Sequence, residues 1–450
     1  MKYLEAVDKI RGIEANYDLM SIKCNGISIW PLVRINLIDR LDERDLTMKD
    51  NGRKAAAIVL KTLFKHNPFA AFRRHKIWLF AGYERRKVIG GENVLRVSGA
   101  VVEAEPDTLV IEKPSHLQLN RCDAISPERH IISESWLLLL IHLFASILKI
   151  TKQKIENEEL LKAILEELNV DFDYKGSLRL LFAQKKVMSF LLHVLPNPKK
   201  VIIECPYTIM GYVWAFHNKD IHVVEMQHGV LNREHYAYNS YYHSNELYPD
   251  ELWCFGDDEY QYLISNECHY CNIIKKTGLY FLELTNRFFV EDIFKEYRKN
   301  YDKIVLVAGQ RGYEQIMASF TEEIAKEDKN SLFVYVPRTT EETVKITAEN
   351  VIYTPRVNIY EYMKWCDIHL TISSTTAIEC QYYKKPTIFY DYEKLGSTYY
   401  QNVLKEVNGI RYVMSPQEYL KALQDLNQSE IHYKECFTSN TVKIIQNLLN

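Results

Sequence analysis

The segment from Tyr360 to Asp391, YEYMKWCDIHLTISSTTAIECQYYKKPTIFYD, constrains this chain more than any other. It reads as helix, strand, hydroxyl-rich turn, helix, strand. IHLTI (368–372) is a short β-rich run, followed at once by Ser373, Ser374, Thr375 and Thr376. AIECQYY then reads as a helix closed by Lys384, Lys385 and Pro386, and TIFYD as a second strand. Strands alternating with helices predict a parallel sheet covered on both faces. Two readings of the turn stay open at this level. It is an anion cradle, in which free N–H groups and hydroxyls meet a ligand, or it is ordinary N-capping by Ser and Thr.

The same alternation recurs along the chain. Strands are expected at KIWLFA (76–81), TLVIEKP (108–114), KKVIIECP (199–206), IHVVEMQHG (221–229) and IIKKTGLY (273–280), and ELWCFGDDEYQYLI (251–264) reads as strand then helix with Gly256 at the junction. Residues 133–168 read as helices, and a short helix holds Met210 to Phe216. A charged run, RFFVEDIFKEYRKNYDK (287–303), precedes a second series: KIVLVAGQRG (303–312), SLFVYVPR (331–338), NVIYTP (350–355) and the opening segment. At 450 residues one core is not enough, so two domains are expected. They are placed at 1–290 and 300–420, with helical text at 421–450 packing back across the hinge. The expected fold class is α/β, with two Rossmann-like domains whose parallel sheets face across a cleft. Ligands of such sheets sit at the carboxyl ends of strands, so the turns after strands matter most.

Three of those turns are chemically loaded. Gln227-His228-Gly229 follows IHVVEM and presents His228 at a sheet edge. Histidine suits a general base because it titrates near neutrality, although most histidines are structural. Ala308-Gly309-Gln310-Arg311-Gly312 follows KIVLV. Its backbone N–H groups fit a phosphate and Arg311 a bidentate pair, or the turn is a plain strand–helix junction. In the third, Glu379 lies one turn into the helix after Ser374, where it either meets a ribose diol or complements the helix dipole.

Composition excludes other classes. Hydrophobic residues make up 47 % and charged residues 26 %, as in globular proteins, and a net charge of -3 argues against a polyanion binder. MKYLEAVDKIRGIEANYD has no apolar core, so no signal peptide is expected. WLLLLIHLFASILKI (136–150) is too short to span a bilayer. Nine scattered cysteines suit a reducing cytoplasm. Cys268-His269-Tyr270-Cys271 is a lone CxxC, and Asp171-Phe172-Asp173 follows a helical run, so neither argues for a metal. Residues 53–76 carry basic side chains and no Asp or Glu. They form either a contact with an anionic membrane surface or a solvated basic helix face.

These residues resemble GT-B glycosyltransferases of bacterial surface-polysaccharide assembly: capsule-synthesis transferases, polysialyltransferases and teichoic-acid glycerophosphotransferases. NIYEYMKWCDIHLTISSTTAIECQYYKKPTIFYD is similar to their helix–aspartate–strand–Ser-Ser–glutamate–KP–strand pattern, with Asp367, Ser373, Ser374, Glu379, Lys385 and Pro386 in matching places. EMQHGV resembles the turn whose histidine acts as base in the glycerophosphotransferases, and VLVAGQRG the first turn of the nucleotide domain. Val336-Pro337-Arg338 departs from the His-Pro frequent in these groups, which leaves the donor nucleotide open.

The resemblance implies a metal-independent glycosyltransferase acting at the inner face of the cytoplasmic membrane or in the cytoplasm. The implied partners are a nucleotide-sugar donor and a saccharide or lipid-linked saccharide acceptor, with no separate cofactor. His228 is the expected base, with Gln227 and Glu225 beside it. Gly309, Gln310, Arg311, Arg338, Ser373, Ser374, Thr375, Thr376 and Glu379 would hold the nucleotide. Arg85, Arg86, Arg233 and His235 would hold the acceptor. A nucleotide-sugar 2-epimerase of related fold and a non-catalytic polysaccharide-binding module are the alternatives.

Overall fold

The computed structural model describes residues 3–41, 52–82, 85–115, 126–147, 154–232, 235–265, 270–338, 344–355 and 357–450. The chain divides into two compact units. One comprises residues 1–255, 259–280 and 440–450, the other 256–258 and 281–439.

The first unit is built on seven strands: β1 (Ile77–Gly82), β2 (Leu109–Lys113), β3 (His130–Ser133), β4 (Lys200–Ile203), β5 (His222–Met226), β6 (Glu251–Cys254) and β7 (Ile273–Lys276). Their order is β7-β6-β5-β4-β1-β2-β3, with every pair parallel. The order reverses between β1 and β4, the switch point of a Rossmann-like sheet. The apolar runs that predict the central strands are buried on both faces. Trp78, Phe80, Ile111, Val201, Ile203 and Val223 form one core with Ala183, Val187, Tyr212 and Phe216 of the covering helices Tyr174–Val194 and Met210–His217.

The second unit repeats the plan with β8 (Lys303–Ala308), β9 (Ser331–Val336), β10 (Val351–Tyr353), β11 (Ile368–Thr371), β12 (Thr387–Tyr390) and β13 (Ile410–Val413). These lie in the order β10-β9-β8-β11-β12-β13, again all parallel, with the switch between β8 and β11. The fold is therefore two Rossmann-like α/β units, as the strand–helix alternation predicts.

The differences are local. The edge strands β3 and β13 are absent from the sequence reading because each is four residues long and mostly half-buried, which leaves no apolar run to detect. Residues 133–168 hold the helices Ser135–Ile147 and Glu158–Leu168, and between them Ile155–Glu156 pairs with Lys23–Cys24. The helical text after Pro416 forms two helices, Pro416–Gln428 and Thr441–Leu449. Between them Asn408 takes the backbone groups that a helix would use: its Oδ1 accepts from His432 N at 2.7 Å and its Nδ2 donates to Glu430 O at 2.8 Å. Helix Thr441–Leu449 belongs to the first unit, where it packs on helix Gly99–Ala104 and Leu448 O accepts from Lys200 Nζ at 2.7 Å.

Candidate functional site

In each unit the chemically loaded residues collect at the carboxyl ends of the strands around the switch point. In the first unit Glu204 follows β4 and is buried. It accepts from Gly82 N at 3.1 Å, across the switch point, and from Ser98 Oγ at 2.6 Å, while Arg85 Nε lies 3.5 Å from it. The next strand, β5, carries Glu225 one residue before its end at Met226 and leads into Gln227 and His228.

His228 is 10 % exposed. Its Nε2 lies 3.1 Å from Tyr207 Oη and its Nδ1 3.3 Å from Tyr238 Oη. Burial, with Arg85, His235 and Arg96 nearby, holds its pKa well below the usual imidazole range. The ring is therefore neutral at neutral pH, the form a proton acceptor needs. Its carbonyl accepts from Arg96 Nη2 at 3.1 Å, which fixes the turn.

Glu225 sits behind His228, fully buried, with Oε1 3.8 Å from Nδ1. Burial pushes its pKa up to about 8, although Tyr238 and Tyr270 donate to it at 2.5 and 2.6 Å and Arg85 favours its charge. Gln227 faces another way. It accepts from Phe255 N at 2.7 Å and donates to Gly229 O at 2.7 Å and Glu259 Oε1 at 3.2 Å. Its amide is spent on holding the turn rather than on a reacting group.

Residues 227–250 contain no helix or strand among those described. A loop of that length inside a compact domain is commonly functional. A buried arginine holds it in place: Arg34 donates to the carbonyls of Tyr236 and, at 2.6 Å, Asn239, and pairs with Glu14 at 2.6 Å. His235 lies on this loop, its ring 6.5 Å from that of His228. Its Nδ1 has no hydrogen-bond partner among the described residues, and burial lowers its pKa to about 4.

The expected acceptor arginines separate. Arg85 stays half-buried beside Glu204. Arg86 is corrected out of the site: its side chain is 1 % exposed, paired with Glu112 at 2.5 Å and Glu128 at 3.0 Å and donating to Asn93 O at 2.6 Å. A guanidinium that closes two buried carboxylates holds the hairpin Arg86–Ile89/Glu92–Leu95 and meets no substrate. Arg233 lies outside the described residues.

In the second unit the turns after β8 and β11 are bonded to each other across the switch point. Gln310 Nε2 donates to Ser373 Oγ at 2.9 Å, and Ser373 N donates to Gln310 Oε1 at 2.9 Å. Gly309 N bonds Val336 O at 2.9 Å. A Cβ on Gly309 would stand 2.4 Å from Glu314 Oε2. That carboxylate is buried at the start of helix Glu314–Glu327 and accepts from Tyr335 Oη at 2.8 Å and Arg338 N at 2.6 Å. One carboxylate thus ties the turns after β8 and β9 together. The residues Ser373, Ser374 and Thr375 are half-buried, and the side chains of Arg311 and Arg338 are exposed.

Two expected nucleotide residues face inward instead. Thr376 Oγ1 lies 2.9 Å from Nε2 of His369, a residue buried in β11. Glu379 is 2 % exposed and accepts from Tyr360 Oη at 2.8 Å. Neither presents an open polar group to a ligand here. Glu204, Ser98, Arg96, Tyr207, Tyr238 and Tyr270 escape the sequence reading. Only Glu204 left a signal, as a carboxylate directly after the KKVII strand. Of the lone CxxC, Cys268 and His269 lie outside the described residues and Cys271 is a buried thiol.

No protein-family model and no curated protein matches the sequence. Solved structures do. UDP-GlcNAc 2-epimerase from Neisseria meningitidis, bound to UDP-GlcNAc, is similar over 84 % of this chain and 100 % of its own, at 12 % identity and a TM-score of 0.48. UDP-GlcNAc 2-epimerase from Methanocaldococcus jannaschii is similar over 83 % and 99 %, at 11 % identity and 0.48. The calicheamicin glycosyltransferase CalG4 is similar over 84 % and 93 %, at 10 % and 0.45. At these values none of them argues for a reaction or a substrate in this chain.

Proposed function

We propose that the chain is a glycosyltransferase of the GT-B type. It moves a sugar from a nucleotide-linked donor to a saccharide or lipid-linked saccharide acceptor in bacterial surface-polysaccharide assembly. The observation that carries this reading is His228: a neutral, partly exposed imidazole at the carboxyl end of β5, set between two tyrosine hydroxyls. The motif resemblance supports it, since the same turn holds the base in the glycerophosphotransferases.

The first unit takes the acceptor in this reading. His228 accepts the proton of the acceptor hydroxyl as that oxygen attacks the anomeric carbon. A new glycosidic C–O bond forms, the anomeric C–O bond to the phosphate breaks, and the nucleotide leaves with the electron pair. Arg85 and His235 orient the acceptor, while Gln227 and Glu225 position the His228 turn.

The second unit takes the nucleotide. Hydroxyls of Ser373, Ser374 and Thr375, backbone N–H groups at Gly309–Arg311, and the guanidiniums of Arg311 and Arg338 supply its donors. Such donors stabilise the negative charge that grows on the leaving phosphate. That assignment asks nothing of a metal.

His228→Ala should lower transfer by about two to four orders of magnitude and leave nucleotide affinity near that of the parent. Near-normal turnover would remove His228 from this role. Ser374→Ala should weaken nucleotide binding in calorimetry, and unchanged affinity would count against the cradle. Incubation with donor alone separates the alternatives. Conversion without acceptor means an epimerase, and glycan binding without nucleotide binding means a non-catalytic module.

A further inference from the structure

The first unit exposes an apolar face that a folded domain would ordinarily bury. Helix Ser135–Ile147, SWLLLLIHLFASI, carries no Asp, Glu, Lys or Arg. Leu139, Leu143 and Ile147, four residues apart, form one stripe and are 42 %, 56 % and 68 % exposed. The segment from helix Gly52–Thr62 to Phe72 adjoins it. Thr62 Oγ1 lies 2.7 Å from Ser135 Oγ, Trp136 Nε1 donates to Leu63 O at 2.9 Å, and the Phe64 ring meets Trp136 edge-on at 5.5 Å. On this segment Phe64, Phe69 and Phe72 are 79 %, 72 % and 62 % exposed. Single exposed apolar residues are ordinary, but a group of this size on adjoining elements marks an interaction surface.

Its charge selects the partner. Lys61, Lys65, Arg73 and Arg74 are exposed around the phenylalanines, Lys76 is exposed but 3.7 Å from Glu105, and residues 53–76 themselves contain no carboxylate. Beside them opens a cavity of ≈ 480 Å³ lined by His66, Phe69, Arg73, Arg129 and His130. Its one carboxylate, Glu128, is paired with Arg86. A second copy of this face would set basic segment against basic segment, with no acid between 53 and 76 to answer it. An anionic surface answers it everywhere. No helix among the described residues is long and apolar enough to cross a membrane.

We propose that this face docks on an anionic phospholipid bilayer. The phenylalanines and the leucine stripe insert at the boundary of headgroups and acyl chains, the basic side chains meet phosphates, and the cavity takes a phosphodiester headgroup. The proposal stands apart from the glycosyl-transfer reading, because it concerns different residues and needs no nucleotide.

The test is flotation of the full-length chain with vesicles of phosphatidylcholine alone and with about a third phosphatidylglycerol. Binding should favour the anionic vesicles by at least about tenfold and weaken with salt. Arg73→Glu with Arg74→Glu should weaken it at least about tenfold, each lost cation being worth roughly fivefold. Phe64→Ser with Phe69→Ser should also release the protein, with circular dichroism and nucleotide binding unchanged. No flotation, equal flotation with neutral vesicles, or indifference to both double variants would overturn the proposal. So would a dimer that Phe64→Ser with Phe69→Ser disperses in a protein that ignores vesicles.

Discussion

Two neighbouring side chains, Glu225 and His228, carry opposite pKa shifts for the same reason. Burial penalises charge, so the carboxyl is pushed up to about 8 and the imidazole down. The consequences for stability have opposite signs. Glu225 binds its proton more tightly when folded, so its contribution is full below about pH 4.5 and is lost as pH rises to about 8. His228 and His235 bind theirs less tightly, so their contribution is full above about pH 6.5 and is lost as pH falls; for His235 that loss runs down to about 4. Glu225→Gln should therefore flatten the decline on the alkaline side, by an amount on the order of a few kcal/mol, and leave the acid side unchanged. Urea titrations across that range would show it. A parent-like slope between pH 5 and 8 (about the interval of the shift) would mean that the two tyrosine donors keep Glu225 ionised. His228 itself was legible in the sequence from its place after a buried strand. Its neutrality was not, since it comes from burial and from Arg85 and Arg96, which flank a hairpin more than a hundred residues earlier in the chain.

At the scale of elements, strand–turn–helix units were legible because short apolar runs followed by glycine or hydroxyl residues have few other solutions. The roles within them were less so. Asp367 belongs to the motif, yet it braces the opposite sheet end from the nucleotide turns, accepting from Ile304 N and Arg298 Nη1, both at 2.8 Å. Gly309 belongs to a turn that looked like a phosphate loop. The added reason for glycine is Glu314, pinned by Tyr335 and Arg338 so that it cannot easily retreat. Gly309→Ala should cost about 1–3 kcal/mol and lower the melting temperature by several degrees. Gly309→Ala combined with Glu314→Ala should not add to the loss in full, because the clash and the carboxylate are one interaction. Full additivity in thermal melts would refute this account of the turn.

At the scale of the molecule, each unit has a Rossmann-like switch point with its own polar cluster. In the proposed reading, nucleotide binding is a property of the second unit's residues. In a thermal-shift screen against CMP, UDP, GDP and CDP, one nucleotide at about a hundredfold excess over its dissociation constant should stabilise by about 2.7 kcal/mol. Gln310→Ala should shrink that shift and also lower the ligand-free melting temperature by a few degrees, because it removes the bonds to Ser373 that hold the two turns together. Transfer should also survive chelation by EDTA, because the phosphate donors assigned here are hydroxyls, amides and guanidiniums. Loss of activity restored by a divalent cation would overturn that assignment.

The sequence by itself determined the α/β class, the two series of strands and the turns that end them. Those features depend on local periodicity and on residues a few positions apart. Tertiary structure alone decided which charged groups face inward. Arg86 and Glu379 read as ligands in sequence and are buried partners in the fold, whereas Glu204, unremarked in sequence, ties β1 to β4. A charge is buried only where another chain segment satisfies it, and that segment is often distant in sequence. Gly82 and Glu204 are 122 residues apart and meet because the sheet order reverses between their strands.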